Sequence, residues 1–296
     1  MGRGAVRRDG PVGAARGEDG GGLPVVVIPL DNALDALDDC LAALERTLPA
    51  GARVWLVDDA AAEPRVMALV ERWLARTRLA ADCTRRSRPC GPVRLLAEAM
   101  RACAGEDVLL LAADARPAGT WLPRMVAALA ADPAVATVTP WCNVGELAAW
   151  PRIGEINPPP ADLEALAAAA AGTAPVRPAL PVAVAHAVLL RQSACAAAGG
   201  LDADSYGSLQ AALADLCARL AGLGWRNVLA DDAFVARSRE AVPAPGDQAA
   251  LAARWPGLTA AVARFLMDDP LRAPRAALEA ALARRPPSGG QRDLFA

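Results

Sequence analysis

The chain carries a single histidine, no Cys-x-x-Cys pair and no uninterrupted apolar run long enough to span a bilayer. Without such cysteine spacing there is no structural zinc framework to expect. The seven scattered cysteines, Cys40, Cys83, Cys90, Cys103, Cys142, Cys195 and Cys217, read as buried or incidental thiols of a reducing compartment, although Cys83 and Cys90 are close enough in sequence to approach one another. No glycine-rich turn follows the first apolar run, because Gly20-Gly21-Gly22 precedes it, and no Walker lysine stands after such a turn. Hydride transfer, methyl transfer and P-loop phosphate chemistry lose their usual signature, and nucleotidyl transfer loses its phosphate loop. Charge of one sign is also missing: 31 Lys plus Arg face 33 Asp plus Glu, a net charge of -2, so no global field favours nucleic acid or anionic lipid. Residues Met1 to Gly22 hold Gly and Arg without a continuous apolar segment, which predicts a disordered tail rather than a signal peptide or a membrane span.

What the chain does have is alanine and well-placed aspartate. Hydrophobic residues make up 54%, much of it alanine, which reports helix propensity more than a buried face. Asp58 and Asp59 directly follow the run Arg53-Val54-Trp55-Leu56-Val57, and Asp114 directly follows Val108-Leu109-Leu110-Leu111-Ala112-Ala113. This puts acids at the carboxyl ends of two buried parallel strands, where open α/β sheets bind ligands, and carboxylates there suit a divalent cation, a ribose or a base edge.

The order of elements supports that placement. Leu23 to Ile28 reads as a strand, Asp31-Asn32 as a turn or cap, and Ala33 to Leu48 as a helix. Pro49-Ala50-Gly51 breaks the helix, Arg53 to Val57 gives a second strand, and Pro64 opens a helix with Val66, Leu69, Val70, Trp73 and Leu74 inward. The basic, turn-rich segment Cys83 to Pro92 precedes a helix over Val93 to Cys103. A strand ending at Asp114, a helix from Trp121 to Ala131 and a strand over Ala134 to Thr139 follow. This βαβα succession argues for a mostly parallel sheet flanked by helices. Between Pro140 and Leu180, Pro158-Pro159-Pro160 and the alanine run Ala165 to Ala171 predict a loop or short helical excursion outside the core. Val182 to Leu190 reads as a strand, Leu209 to Leu223 as a helix, and Asn227 to Ala230 and Ala233 to Ala236 as two short strands on either side of Asp231-Asp232.

These elements, in order, resemble a family 2 nucleotide-sugar glycosyltransferase of the GT-A fold, particularly its bacterial rhamnosyltransferase-like branch. Val25-Val26-Val27-Ile28-Pro29-Leu30-Asp31-Asn32 is similar to the family's first strand and Pro-x-x-Asn turn, and Leu56-Val57-Asp58-Asp59-Ala60 to its nucleotide-embracing Val-Asp-Asp element. Asp114 falls at the last aspartate of the metal-binding acidic motif, followed by Trp121-Leu122 and Asp132-Pro133-Ala134-Val135. Asp215-Leu216-Cys217-Ala218-Arg219, with Gly224-Trp225-Arg226-Asn227-Val228-Leu229-Ala230-Asp231-Asp232, is the closest run of all, and the likeness covers about residues 24 to 237. It implies a GT-A-like domain over 23–240, while composition and Pro/Gly breaks predict the disordered tail over 1–22, peripheral C-terminal helices over 241–290 and a tail over 291–296.

By this resemblance the protein is an inverting glycosyltransferase that moves a sugar from a nucleotide-diphosphate donor to a glycan, lipid-linked or small-molecule acceptor. Asp58 or Asp59 would accept hydrogen bonds from a base or ribose. Asp114 would bind Mg²⁺ or Mn²⁺ bridging the diphosphate, and Asp215 would be the general base, its alternative being a pair with Arg219 at i,i+4. Gly91 is the surviving residue of an Asn-x-Gly-Phe turn, and Asn143 matches a loop that contacts sugar. Trp141 or Trp150 would stack on the acceptor or belong to the core. His186 reads as a satisfied structural histidine. Arg237 stands where the family often has a histidine metal ligand and could meet a phosphate directly. Ala112 stands two positions before Asp114, and Leu213 and Ala214 before Asp215, where the family carries polar or acidic residues. Those departures favour a rival reading, a catalytically degenerate GT-A domain that serves as scaffold or partner in polysaccharide assembly. The implied location is cytoplasmic, with peripheral attachment at the inner face of the membrane left open and no nucleic-acid partner.

Overall fold

A computed structural model describes residues 6–8, 22–145, 147–239 and 243–285. Strands β1 (Val6–Arg8), β2 (Val25–Pro29), β3 (Arg53–Asp58), β4 (Ala80–Arg85) and β5 (Val108–Leu111) are interspersed, from β2 onward, with helices α1 (Leu34–Thr47), α2 (Pro64–Leu74) and α3 (Pro92–Ala102). The chain continues through β6 (Ala115–Pro117), α4 (Trp121–Ala130), β7 (Val135–Trp141), α5 (Leu163–Ala171), β8 (Ala179–Leu180), β9 (Ala187–Leu190), α6 (Gln192–Ala197), α7 (Leu209–Gly222) and β10 (Arg226–Arg237). Helices α8 (Asp247–Arg254), α9 (Pro256–Asp268) and α10 (Arg272–Ala283) follow.

The strands form a ten-stranded sheet in the order β1-β4-β3-β2-β5-β9-β7-β10-β6, with β8 alongside β10. The run from β1 to β5 is parallel, and β9 is antiparallel to both β5 and β7. Strand periodicity divides the core cleanly. Val26 and Ile28 join Leu37, Leu41 and Leu44 of α1 on one face, and Val25 and Val27 join Leu96 and Met100 of α3 on the other. From β2 the chain builds outward to β3 and β4, then returns to the opposite side of β2 as β5. Doubly wound sheets take ligands in the crevice at such a reversal, here at the carboxyl ends of β2 and β5.

Four expectations are corrected. Val6–Arg8 lies in the stretch expected to be disordered, yet it pairs in parallel with β4; residues 1–5 and 9–21, and the expected tail 291–296, lie outside the described residues. The basic segment from Cys83 begins inside the strand β4, which pairs with its neighbours β1 and β3. The alanine run is α5, whose Leu166, Ala169 and Ala170 share a third core cluster with Trp141, Phe234, Leu271 and Leu278. Alanine lets that helix sit close to β10, and α10 covers it instead of lying peripherally. Finally, β10 runs unbroken through Asp231-Asp232, with a register shift against β7 between Ala230 and Phe234 that absorbs the two acids.

Candidate functional site at the carboxyl edge of the sheet

Asn32, just beyond β2, ties two turns together: its Nδ2 donates to the Ala61 carbonyl at 3.0 Å and its Oδ1 accepts the Glu63 N–H at 2.8 Å. Asp58 stabilises the same turn from within. Its Oδ1 accepts the N–H groups of Ala61 and Ala62 at 3.1 and 3.0 Å, and Arg85 Nε lies 3.2 Å from Oδ2 as an ion pair without hydrogen-bond alignment. With 0% of its surface exposed, Asp58 shapes the crevice rather than lining it. Asp59 is different, since 16% of its side chain stays open. Its carboxylate accepts the N–H of Cys90 at 2.8 Å and of Gly91 at 2.7 Å, which fixes the loop ahead of α3. Gly91 has φ +92, a conformation that favours glycine, and caps α3. Because each carboxylate oxygen has two lone pairs, Asp59 retains acceptor capacity.

Asp114, in the turn just beyond β5, is 1% exposed and bound on every side. Arg237 Nε lies 3.0 Å from Oδ1 and 3.1 Å from Oδ2, and the Arg239 N–H donates to Oδ2 at 2.9 Å. Arg239 Nε is 3.6 Å from Oδ2, and the far end of that guanidinium pairs with Asp31 beyond β2. The expectation that Asp114 holds Mg²⁺ or Mn²⁺ therefore meets a physical obstacle: its oxygens are taken by donors that a cation would have to displace. Ala112 and Ala113 offer no side-chain ligand, and among the described residues no group of three His, Cys, Asp or Glu is placed to hold a metal. The residues do not fit a divalent ion.

Asn143 is buried, and its amide pairs with the Arg237 backbone in both directions as well as with the Asn157 carbonyl, so it positions the end of β10. Trp141 is fully buried with Nε1 donating to the Asp231 carbonyl at 3.0 Å, and Trp150 meets Phe234 edge to face, which places both with the core. His186 is fully buried as expected of a structural residue, but it is not satisfied. Neither ring nitrogen has a hydrogen bond among the described residues, although the Trp141 backbone lies near enough to favour the charged form. Burial, followed by the charge of Arg237, pushes its imidazole down to about 3.

Asp215 lies elsewhere. It is fully buried in the middle of α7, where its carboxylate accepts Arg219 Nε at 2.9 Å, Trp255 Nε1 at 2.8 Å and the Tyr206 hydroxyl at 3.4 Å, with Arg254 Nε at 3.3 Å. The i,i+4 pair with Arg219 is thus realised, and among the described residues the cluster shares no partner with Asp114. The structure brings Asp58, Asp59, Gly91, Asp114, Asn143 and Arg237 to one edge and leaves Asp215 between α7 and α8. Sequence reasoning missed Asp31, Arg85 and Arg239 as partners of the acids. The one available signal was the Arg-x-Arg spacing of Arg237 and Arg239 at the end of the last strand. All seven cysteines are free thiols, and six are buried.

The glycosyl transferase family 2 model matches residues 25–197, more than half of the chain. Solved structures share the architecture. The mannosyltransferase PcManGT from Pyrobaculum calidifontis, in complex with GDP-Man and Mn²⁺, is 20% identical with a TM-score of 0.52, over 92% of this chain and 77% of that one. GalNAc-T7 with UDP, GalNAc and Mn²⁺ is 11% identical with a TM-score of 0.57, over 89% of this chain and 55% of the other. TarS from S. aureus in complex with UDP-GlcNAc is 16% identical with a TM-score of 0.52, over 74% of this chain and 59% of that one. At these identities the likeness establishes the fold. No curated protein matches the chain. With the family model covering most of the sheet and the same architecture recurring in these transferases, the chain belongs to glycosyl transferase family 2 and has the GT-A fold.

Proposed function

We propose that the protein binds a nucleotide-diphosphate sugar in the crevice at the carboxyl ends of β2, β3 and β5 and transfers the sugar to a glycan, lipid-linked or small-molecule acceptor. The observation that carries this reading is the gathering of Asp59, Gly91 and Arg237 at the topological switch of a family 2 sheet. Asp59, with open acceptor capacity, suits ribose or base N–H groups, and the arginines beside Asp114 suit phosphate. The GDP-Man and UDP-GlcNAc of the similar structures support a nucleotide donor without deciding its base. The motif order further supports placement in the rhamnosyltransferase-like branch and a bacterial polysaccharide setting.

Inversion would follow from direct displacement at the anomeric carbon, with a base taking the acceptor proton. Asp215, which the resemblance nominates, serves only where α8 moves Arg254 and Trp255 aside. Its enclosure favours a second reading, a degenerate domain that keeps nucleotide affinity and acts as a partner in polysaccharide assembly. Among the described residues no helix is long and apolar enough to cross a membrane, and we place the protein in the cytoplasm or peripherally at the inner face of the membrane. Incubating the protein with a panel of nucleotide sugars, with and without candidate acceptors, and measuring nucleoside diphosphate release separates the readings. Release from one donor supports transfer, with the product's anomeric configuration reporting inversion; binding without release supports the degenerate domain.

A further inference from the structure

Resting on that donor-binding reading, we propose that Arg237 and Arg239, braced by Asp114, bind the donor diphosphate directly and that recognition at this site needs no divalent cation. Asp114 is then the holder of a guanidinium rather than a metal ligand. A guanidinium carries five N–H donors, and Arg237 uses only its Nε on Asp114, at 3.0 and 3.1 Å. Its two terminal nitrogens donate to no described residue, and 15% of the side chain remains open. Its backbone is fixed by Asn143, which accepts its N–H at 2.8 Å and donates to its carbonyl at 3.1 Å. The result is a pre-positioned cation whose fork of donors is unused among the described residues, the geometry that suits a phosphoryl group.

Arg239 supplies the second arm. Its guanidinium spans Asp114 and Asp31, and 46% of its side chain is exposed. Asp31 keeps 42% of its own surface open and can return to water, whereas Asp114, at 1%, cannot. An arriving diphosphate therefore exchanges with Asp31 for Arg239 while Arg237 stays in place. A divalent ion at the same point would have to break the Arg237 and Arg239 contacts and leave a guanidinium beside a like charge. The crevice between β2 and β5 meets a phosphate with arginine donors instead.

The test is calorimetric titration of the full chain with UDP, GDP and inorganic diphosphate, in EDTA and in MnCl₂, for wild type, Arg237→Ala, Arg237→Lys and Arg239→Ala. The expected affinity is the same in EDTA and MnCl₂ within about twofold. Arg237→Ala weakens it by about tenfold or more, as for the loss of charged hydrogen bonds. Lysine does not restore it, and Arg239→Ala has a smaller effect. A tenfold or larger gain from Mn²⁺ by about the same measure, or wild-type affinity in Arg237→Ala, overturns the proposal. Should Arg237→Ala lose its fold by circular dichroism, the EDTA comparison on wild type and Arg239→Ala decide. Nucleotide binding that appears only with Mn²⁺ removes the clamp and keeps the donor reading. Binding of inorganic diphosphate alone, dependent on Arg237, keeps the clamp and removes the nucleotide, and no binding at all removes both.

Discussion

Asn143 and Arg237 are locked by a two-way pairing of one side-chain amide with one backbone residue: Arg237 N–H donates to Oδ1 at 2.8 Å and Nδ2 donates back to the Arg237 carbonyl at 3.1 Å. The loop after β7 and the last residue of β10 are thereby held as one piece, which explains why an asparagine is buried at 1% exposure. Asn143→Ala leaves a main-chain N–H unpaired and is expected to cost about 1–3 kcal/mol, read as a lower urea midpoint with an unchanged slope. Diphosphate affinity should fall in the folded variant as well, because Arg237 loses its anchor.

Asp215 yields a prediction of a different kind. Truncating it leaves Arg219 and Arg254 without their shared carboxylate, so Asp215→Ala should lose about 3–5 kcal/mol of stability. Hydrogen exchange should quicken in α8, which Arg254 and Trp255 fasten to α7 through this residue. Nucleotide affinity of the folded fraction should be unchanged, since the cluster lies apart from Asp114. Isosteric Asp215→Asn separates the roles: a general base predicts lost sugar transfer with an intact fold, whereas the brace predicts faster exchange in α8 and retained nucleotide binding.

The chain's one histidine predicts a pH effect. Burial and then the Arg237 charge lower His186 from 6.5 to about 3 in the folded state. Between those values the unfolded chain binds the extra proton and the folded one does not, so stability falls as pH is lowered through this window, by at most about 1.4 kcal/mol per pH unit. Urea denaturation of wild type and His186→Leu between neutral and acid pH checks this. The variant should lose less stability on acidification than wild type does.

Asp59 and Gly91 form a third testable pair. Gly91→Ala places a side chain at φ +92 with open space around it, so the cost is backbone strain of about 1–3 kcal/mol rather than a clash. Because Gly91 N–H donates to Asp59 at 2.7 Å, the strain should also disturb that carboxylate. Thermal melts report the first effect and nucleotide titration the second.

Strands β2, β3 and β5 were legible because they are short, largely apolar runs followed by acids and alternating with helices such as the one opened by Pro64, whereas β1 and β4, whose sequences carry Arg, Asp and Thr, gave no such signal. What was not legible depends on partners far away in sequence. Arg237 sits 123 residues from Asp114, and the pair turns a candidate metal ligand into an ion pair. The strand β10 looked broken at Asp231-Asp232, but Asp231 accepts the N–H groups of Val176 and Arg177 at 2.9 and 3.0 Å, and Asp232 pairs with Arg124 at 3.0 Å. Helix α5 looked like an excursion because alanine carries little amphipathic signal; only β10 and α10 on either side make it core. For Asp215, spacing gave the pair with Arg219 as an alternative, whereas Arg254 and Trp255 come from beyond the next strand.

The most direct measurement is calorimetric titration of the folded chain with a panel of nucleoside diphosphates and their sugar conjugates, repeated on Asp59→Ala. The account predicts micromolar binding of one base, about tenfold or more weaker in Asp59→Ala, as expected for lost hydrogen bonds to a carboxylate. Absence of binding by every nucleotide at millimolar concentration, with the fold confirmed by circular dichroism, would contradict it.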